Sequence, residues 1–290
     1  MRSPSTGRRF RSHGEKRASV PRVEAVAAIP ALFIALLLPW TVQQPADART
    51  GFSAAPLSAI RTYVESLGSR RALAASQPGS PASALARHDL ALAQAFAANH
   101  QRPGPQRKQF RNGTAVVCPT STTSGPRCTT LSQFQADARG RIRTFAVNDS
   151  PLASRVVIGS PQNRASITGP AGPIAIVGLY SAYQTGPGQL VAICDFASNR
   201  AANVGAPGAA VILQEDAIRY DDSQGHTVSS DSVLNQRAPT DPLFPAQSKQ
   251  NVLRFVLFFP NSALGGQLAV STTGQPPSPE LVGSAQLAIG

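Results

Sequence analysis

"NVLRFVLFFP", residues 251–260, is the stretch on which the fold reading turns. Seven of its ten residues are Val, Leu or Phe, and Phe255 to Phe259 run without a polar break. A membrane span needs about 20 apolar residues; this run is too short, and Arg254 interrupts it. Read as a strand, it has period-2 faces. Leu253, Phe255, Leu257 and Phe259 share a wholly apolar face that belongs in a core. Val252, Arg254, Val256 and Phe258 share the other, which turns apolar at its far end, as if a helix or loop covered it. The helical stretch 57–99, or a partner, is expected there.

The neighbouring sequence repeats the strand rhythm. Apolar runs lie at 173–183, 189–199, 209–222 and 266–273, separated by the turn formers "QTGPG", "NVGAPG" and "DSQG". Upstream, 114–118, 129–137 and 141–148 read as strands, and "ADARGRI" is a tight hairpin with Asp137 and Gly140 in its turn. In that hairpin Ile142, Thr144 and Ala146 alternate with Arg143, Phe145 and Val147. Several short strands with Gly/Pro turns and no intervening helical period predict a sandwich or barrel. "GSPQNRASITGPAGP", 159–173, reads as a connector, and 223–250 is a long segment with no clear rhythm.

Helical periodicity is confined to the region before position 100. Leu57, Ile60, Val64 and Leu67 recur at three- and four-residue steps after Pro56, predicting one helix over 57–75. After the turn "SQPGSP" comes an Ala-rich helix, 83–99, with Leu85, Leu92 and Phe96 on one stripe. "QRPGPQRKQFR", 101–111, reads as a basic connector that either stays solvated or touches an anionic surface such as a membrane or wall polymer.

The N-terminus reads as an address. Seven basic residues within 1–22 precede the uncharged block 25–40, and Ala46-Asp47-Ala48 follows. That order predicts a signal peptide, 1–48, cleaved after Ala48. The rival is an uncleaved signal anchor, with membrane attachment through residues 25–42. Either way the remainder is expected outside the cytoplasm, secreted or at the cell surface. Arg8-Arg9 fits a twin-arginine signal poorly.

The charge distribution argues against nucleic acid as a partner. Residues 1–48 hold seven basic and three acidic groups, 49–140 eleven and three, and 141–290 nine of each. A nucleic-acid binder concentrates basic residues on its folded face, whereas the β-rich half is neutral. Of the 27 basic residues 24 are Arg, a bias that also reflects high-GC coding.

Cysteine usage agrees with export. Cys118 and Cys128 enclose nine turn-forming residues and are expected to form a disulfide. A metal reading lacks further ligands nearby. Cys194, inside "LVAICDF", is expected to be a buried thiol rather than a nucleophile.

The chemistry-bearing residues converge nowhere. His13, His88, His100 and His226 are the histidines, and no H-E-x-x-H, G-x-S-x-G, S-x-x-K or phosphate-binding loop occurs. His226 reads as an exposed turn residue. Glu215, Asp216, Asp221 and Asp222 form the best acidic cluster, but their spacing matches no calcium loop. No residue is therefore singled out as catalytic, cofactor-binding or metal-ligating, and no cofactor is expected.

A resemblance adds to this. A strand ending in "ASN" (197–199), the acidic strand with "DDSQGH" (221–226), "PAQSKQNVLRFVLFFP" (245–260) and "GQLAVS" (266–271) resemble a telokin-like, immunoglobulin-type domain. Such domains occur in exported proteins of high-GC Gram-positive bacteria. "TLSQFQADARGRIRTFAVNDSPLASRV" (130–156) resembles the short hairpin that leads into them. The likeness covers about residues 114–275 and rests on strand rhythm and turn placement; the 223–250 segment departs from it. It implies a secreted or surface-attached β-sandwich, generally of unknown or binding function; the partner expected is an envelope or extracellular protein or polymer.

The expected organisation is thus a mainly β chain, with an immunoglobulin-like sandwich preceded by a β-hairpin and a helical pair. Its parts are the leader 1–48, a helical and basic region 49–111, a hairpin lead-in with the disulfide at 112–160, and the sandwich at 161–290. The alternatives are an envelope enzyme with dispersed catalytic residues involving His226 or Cys194, and a surface protein that binds anionic polymers through Arg102–Arg111.

Overall fold

A computed structural model describes residues 53–120, 128–186, 188–198, 202–204, 211–213, 217–231, 233–237, 251–274 and 279–290. The leader, Glu215, Asp216 and all of 238–250 lie outside these. Among the described residues the chain is mainly β, with antiparallel sheets and a small helical part. No helix among them is long and apolar enough to cross a membrane.

The helices come first. α1 spans Leu57–Glu65, α2 Arg70–Ala74 and α3 Pro81–Ala98. The single helix expected over 57–75 is broken. Gly68 takes φ +84, which ends a helical run. The Ser66 hydroxyl donates back to the Thr62 carbonyl, and Ser69 caps α2 by accepting from the Arg71 N–H. Ile60 and Val64 are buried as their spacing requires, but Leu57 stays 43% exposed and Tyr63 takes its place inside. In "SQPGSP", Ser80 accepts from the Ser83 N–H and Pro81 opens α3.

A smaller sheet follows the order β2-β3-β4-β5-β6, with β1 added on β4. Its strands are β1 (Ser53–Ala54), β2 (Gln106–Arg111), β3 (Thr114–Pro119), β4 (Thr129–Ala136), β5 (Ile142–Val147) and β6 (Ser150–Pro151). The "ADARG" turn forms as expected: Asp137 Oδ1 accepts from the Arg139 and Arg141 N–H groups, and Gly140 takes φ +74. The β4–β5 register slips between Gln135 and Ala136, stepping over Arg143. That bulge settles the imperfect alternation of β5 and lets Ile142, Phe145 and Val147 enter one core.

β2 was not expected as a strand, because "QRKQFR" is polar and charged. The turn after it carries the signal. Asn112 and Gly113 take φ +48 and +73 between paired Arg111 and Thr114, as a two-residue hairpin of primed type demands.

The larger sheet holds β7 (Val156–Ile158), β8 (Arg164–Gly169), β9 (Gly172–Gln184), β10 (Leu190–Ser198), β11 (Ala202–Val204) and β12 (Val211–Leu213). β13 (Arg219–Asp221), β14 (Thr227–Ser229), β15 (Val233–Arg237), β16 (Asn251–Phe259), β17 (Gly266–Gly274) and β18 (Gly283–Ile289) complete it. Its main path is β11-β12-β17-β18-β8-β9-β10-β16-β15. The sheet is sandwich-like: Phe255, Leu257 and Phe259 of β16 share a buried cluster with Leu268 and Val270 of β17 and Tyr220 of β13. The Tyr220 and Phe259 rings lie 5.3 Å apart. β8 falls in the stretch 159–173 that reads as a connector, and β14 and β15 fall in the long 223–250 segment; β18 lies in a stretch for which no strand is expected.

α3 joins the two halves. Its first part, Ala82, Leu85 and Ala86, enters the core beneath the smaller sheet. Its second part, Ala91 and Ala95, enters a cluster on the outside of the larger sheet with Val191, Ile193, Leu234 and Val256. Alanine buries little area, but it lets a helix lie close on both surfaces. Residues 48–290 form one unit.

Candidate functional site

β16 places its two faces as its alternation requires. Phe255, Leu257 and Phe259 are fully buried inward. Outward, Val256 and Phe258 lie under α3, with the Phe96 and Phe258 rings 6.2 Å apart. Arg254, the charge on that face, is only 2% exposed. It stands directly opposite Asp195 of β10, and the two form a bidentate pair: Nε to Oδ1 at 2.8 Å and Nη2 to Oδ2 at 2.9 Å.

A register slip in β9, between the partners of Ile193 and Cys194, steps over Tyr180. The guanidinium sits 3.6 Å from the centre of that ring. Gly178 is the β9 partner of Asp195, so no side chain competes for the space beside the carboxylate. Burial acts to lower the Arg254 pKa, but the Asp195 hydrogen bonds outweigh it and hold the guanidinium above its ordinary value. The signal was present in "LVAICDF": a lone Asp in the middle of an apolar run requires a partner.

Beyond the C-terminal end of α3 the outer face opens into a groove of about 520 Å³. Phe96, Val233, Leu234 and Phe258 line it with Gln101, Gln189 and Asp231.

A second polar cluster lies where α3 crosses the sheets. His88 Nδ1 is 3.0 Å from Ser181 Oγ, and both residues are fully buried. Burial lowers the His88 pKa to about 3, so the ring is neutral near pH 7, and its buried Nε2 has no partner among the described residues. The adjacent Asp89 has its pKa raised to about 7 by burial, with the Lys108 charge opposing. Lys108, from β2, donates to the Val64 carbonyl at 2.8 Å. Burial lowers its pKa, and Asp89 and Glu65 oppose that shift. A serine beside a histidine has the elements of a nucleophile–base pair, but neither side chain meets solvent.

The remaining sequence candidates are placed apart. Cys194 is a free thiol, fully buried on the inner face of β10, and burial pushes its pKa well above the ordinary value. The His226 side chain is 63% exposed, with Nδ1 3.3 Å from Asp222 Oδ2. Burial acts to raise the Asp222 pKa, but the His226, Ala263 and Gln224 N–H groups outweigh it and hold it below the usual carboxylate range. Asp221 accepts instead from the Thr227 hydroxyl. No group of three or more His, Cys, Asp or Glu among the described residues is arranged to hold a metal ion.

The Cys118–Cys128 disulfide forms, with the two Cα atoms 4.2 Å apart. It ties the end of β3 to the start of β4, so it clamps the β2–β3 hairpin to the sheet. Along β2, Lys108 and Phe110 are half-buried, whereas Arg107, Gln109 and Arg111 are exposed. The Arg61 guanidinium lies 5.3 Å from the Phe110 ring centre, holding β2 against α1.

No protein-family model, curated protein or solved structure matches this chain.

Proposed function

We infer that the chain works outside the cytoplasm as a non-enzymatic module, a β-sandwich of immunoglobulin-like type, which binds an envelope or extracellular partner. The observation that supports this most is the clamped hairpin. A disulfide is stable in an oxidising compartment, and here it rigidifies an edge that presents exposed polar and cationic side chains. Rigid presentation lowers the ordering cost of binding. The groups best suited to covalent chemistry, Cys194 and the Ser181–His88 pair, are withdrawn from solvent in the same fold.

The test has two arms. Mass determination of the exported form should give a chain beginning at Arg49 if the leader is cleaved. Native protein should leave Cys194 unlabelled by a thiol reagent at neutral pH and should not turn over a broad panel of esters, peptides and glycans. Turnover abolished by one substitution, or rapid labelling of Cys194, overturns the reading.

A further inference from the structure

The β2–β3 hairpin carries basic side chains and no acidic one. Between Asp89 and Asp137 the sequence contains no Asp or Glu. Within that interval Arg102, Arg107 and Arg111 are all exposed. None of the ion pairs among the described residues takes up any of the three. Among the described residues β2 is an edge strand, paired only with β3, so its outward residues stand in single file. Arg107 and Arg111 are four residues apart, about 13 Å at about 3.3 Å per residue. Gln109 lies between them. With its amide turned to satisfy both groups, its oxygen accepts from Arg107 Nε at 3.1 Å and Nη2 at 2.8 Å. That fixes the Arg107 plane and leaves its other N–H groups and the Gln109 NH₂ as donors.

The strip is held rigid from below. Lys108 and Phe110, on the alternate face, bind to α1 through the Val64 carbonyl and the Arg61 guanidinium. The Asn112–Gly113 turn and the disulfide fix the hairpin's two ends.

We propose that Arg107, Gln109 and Arg111, with Arg102 on the exposed segment that leads into β2, form a binding strip for a linear phosphate-bearing polymer. This rests on the binding-module reading above and names its partner class. Guanidinium forks match phosphate oxygens, and a single file of them suits a chain better than a plane. An anionic membrane surface can hold basic residues by charge, but firm attachment adds apolar side chains at the contact; among the described residues the exposed large hydrophobics are Leu57, Ile158 and Val282, none of them on this hairpin. Basic side chains on an edge strand also discourage edge-to-edge pairing. That role needs charge alone, not forked geometry, and the two are separable.

The experiment uses the full chain and long-chain inorganic polyphosphate, with binding measured across a salt series. The variant Arg102→Ser/Arg107→Ser/Arg111→Ser should lose at least about tenfold in affinity at low salt. Its slope of log K against log salt should fall by about 2, at about 0.7 per contact for a flexible strand. Replacing the same three by Lys keeps the charge and should still cost several-fold. Arg70→Ser/Arg71→Ser/Arg87→Ser removes equal charge from the exposed helix surface and should change little. Thermal melts confirm that each variant is folded.

Equal losses in the two Ser variants, or full affinity of the Lys variant, overturn the strip. So does equal affinity for polygalacturonate, or capture by anionic phospholipid vesicles in place of polyphosphate. If polyphosphate fails while the wild type retains another extracytoplasmic partner, the strip falls and the binding-module reading stands.

Discussion

Arg254 and Asp195 show how much one residue's setting changes its meaning. In the sequence Arg254 is the polar end of a half-covered face. In the fold it is a nearly buried cation between a carboxylate and a tyrosine ring. A buried pair is costly to desolvate, and its removal as a unit is often tolerated, but removing one member leaves an uncompensated charge. Asp195→Ala is therefore expected to destabilise the fold by about 3–5 kcal/mol in urea unfolding. The double replacement by apolar residues of similar size should recover most of that loss.

His88 and Asp89 make opposite contributions to pH dependence. His88 has a folded pKa of about 3 against an ordinary 6.5, so its stabilising share is present above pH 6.5 and is lost as pH falls toward 3. Asp89 has a folded pKa of about 7 against 3.8, so its share is present below pH 3.8 and is lost as pH rises through 7. Between about pH 4 and 6.5 the two slopes oppose each other. His88→Asn should remove the first and leave stability falling with pH in that window. Asp89→Asn should steepen the loss toward acid. Melting temperatures from pH 4 to 8 distinguish these outcomes; parallel profiles for wild type and both variants would refute the account.

At the scale of elements, β2 is the instructive case. Its residues read as a solvated connector because charge hid the strand, yet Asn112–Gly113 carried the hairpin signal. The disulfide then holds this hairpin to β4. In the chain-entropy picture a loop of this size contributes roughly 3 kcal/mol. Cys118→Ser/Cys128→Ser should lose about that much, and hydrogen exchange should rise first in β2 and β3. Loss spread evenly over both sheets would show that the crosslink acts only on the unfolded chain. α1 and α2 give the converse lesson. Their apolar spacing was legible, but the break between them depends on Gly68 and on serine hydroxyls that turn back on the helix end.

At the scale of the whole molecule, α3 couples two cores that the strand pattern alone would keep apart. Because its first turns pack under the smaller sheet and its last turns on the larger one, neither half should melt alone. Calorimetry should give one transition over residues 48–290, with equal calorimetric and van't Hoff enthalpies. Ala91→Asp, which puts a charge under the outer face of the larger sheet, should lower that single transition; two resolved transitions would show that α3 does not couple the halves.

The chain's alternation was enough to establish the mainly β class, the inward face of β16, the Asp137–Gly140 hairpin and the helical stretch before residue 100. Those features depend on residues two to four positions apart, and local spacing carries them. What covers the outer face of β16, which carboxylate meets Arg254, where Ser181 finds His88, and which strand is left at the edge to display Arg107 and Arg111 all depend on partners far along the chain. Asp195 and Arg254 are 59 residues apart, and His88 and Ser181 are 93. A periodic pattern shows that a face must be buried or solvated; only the packed structure decides against what.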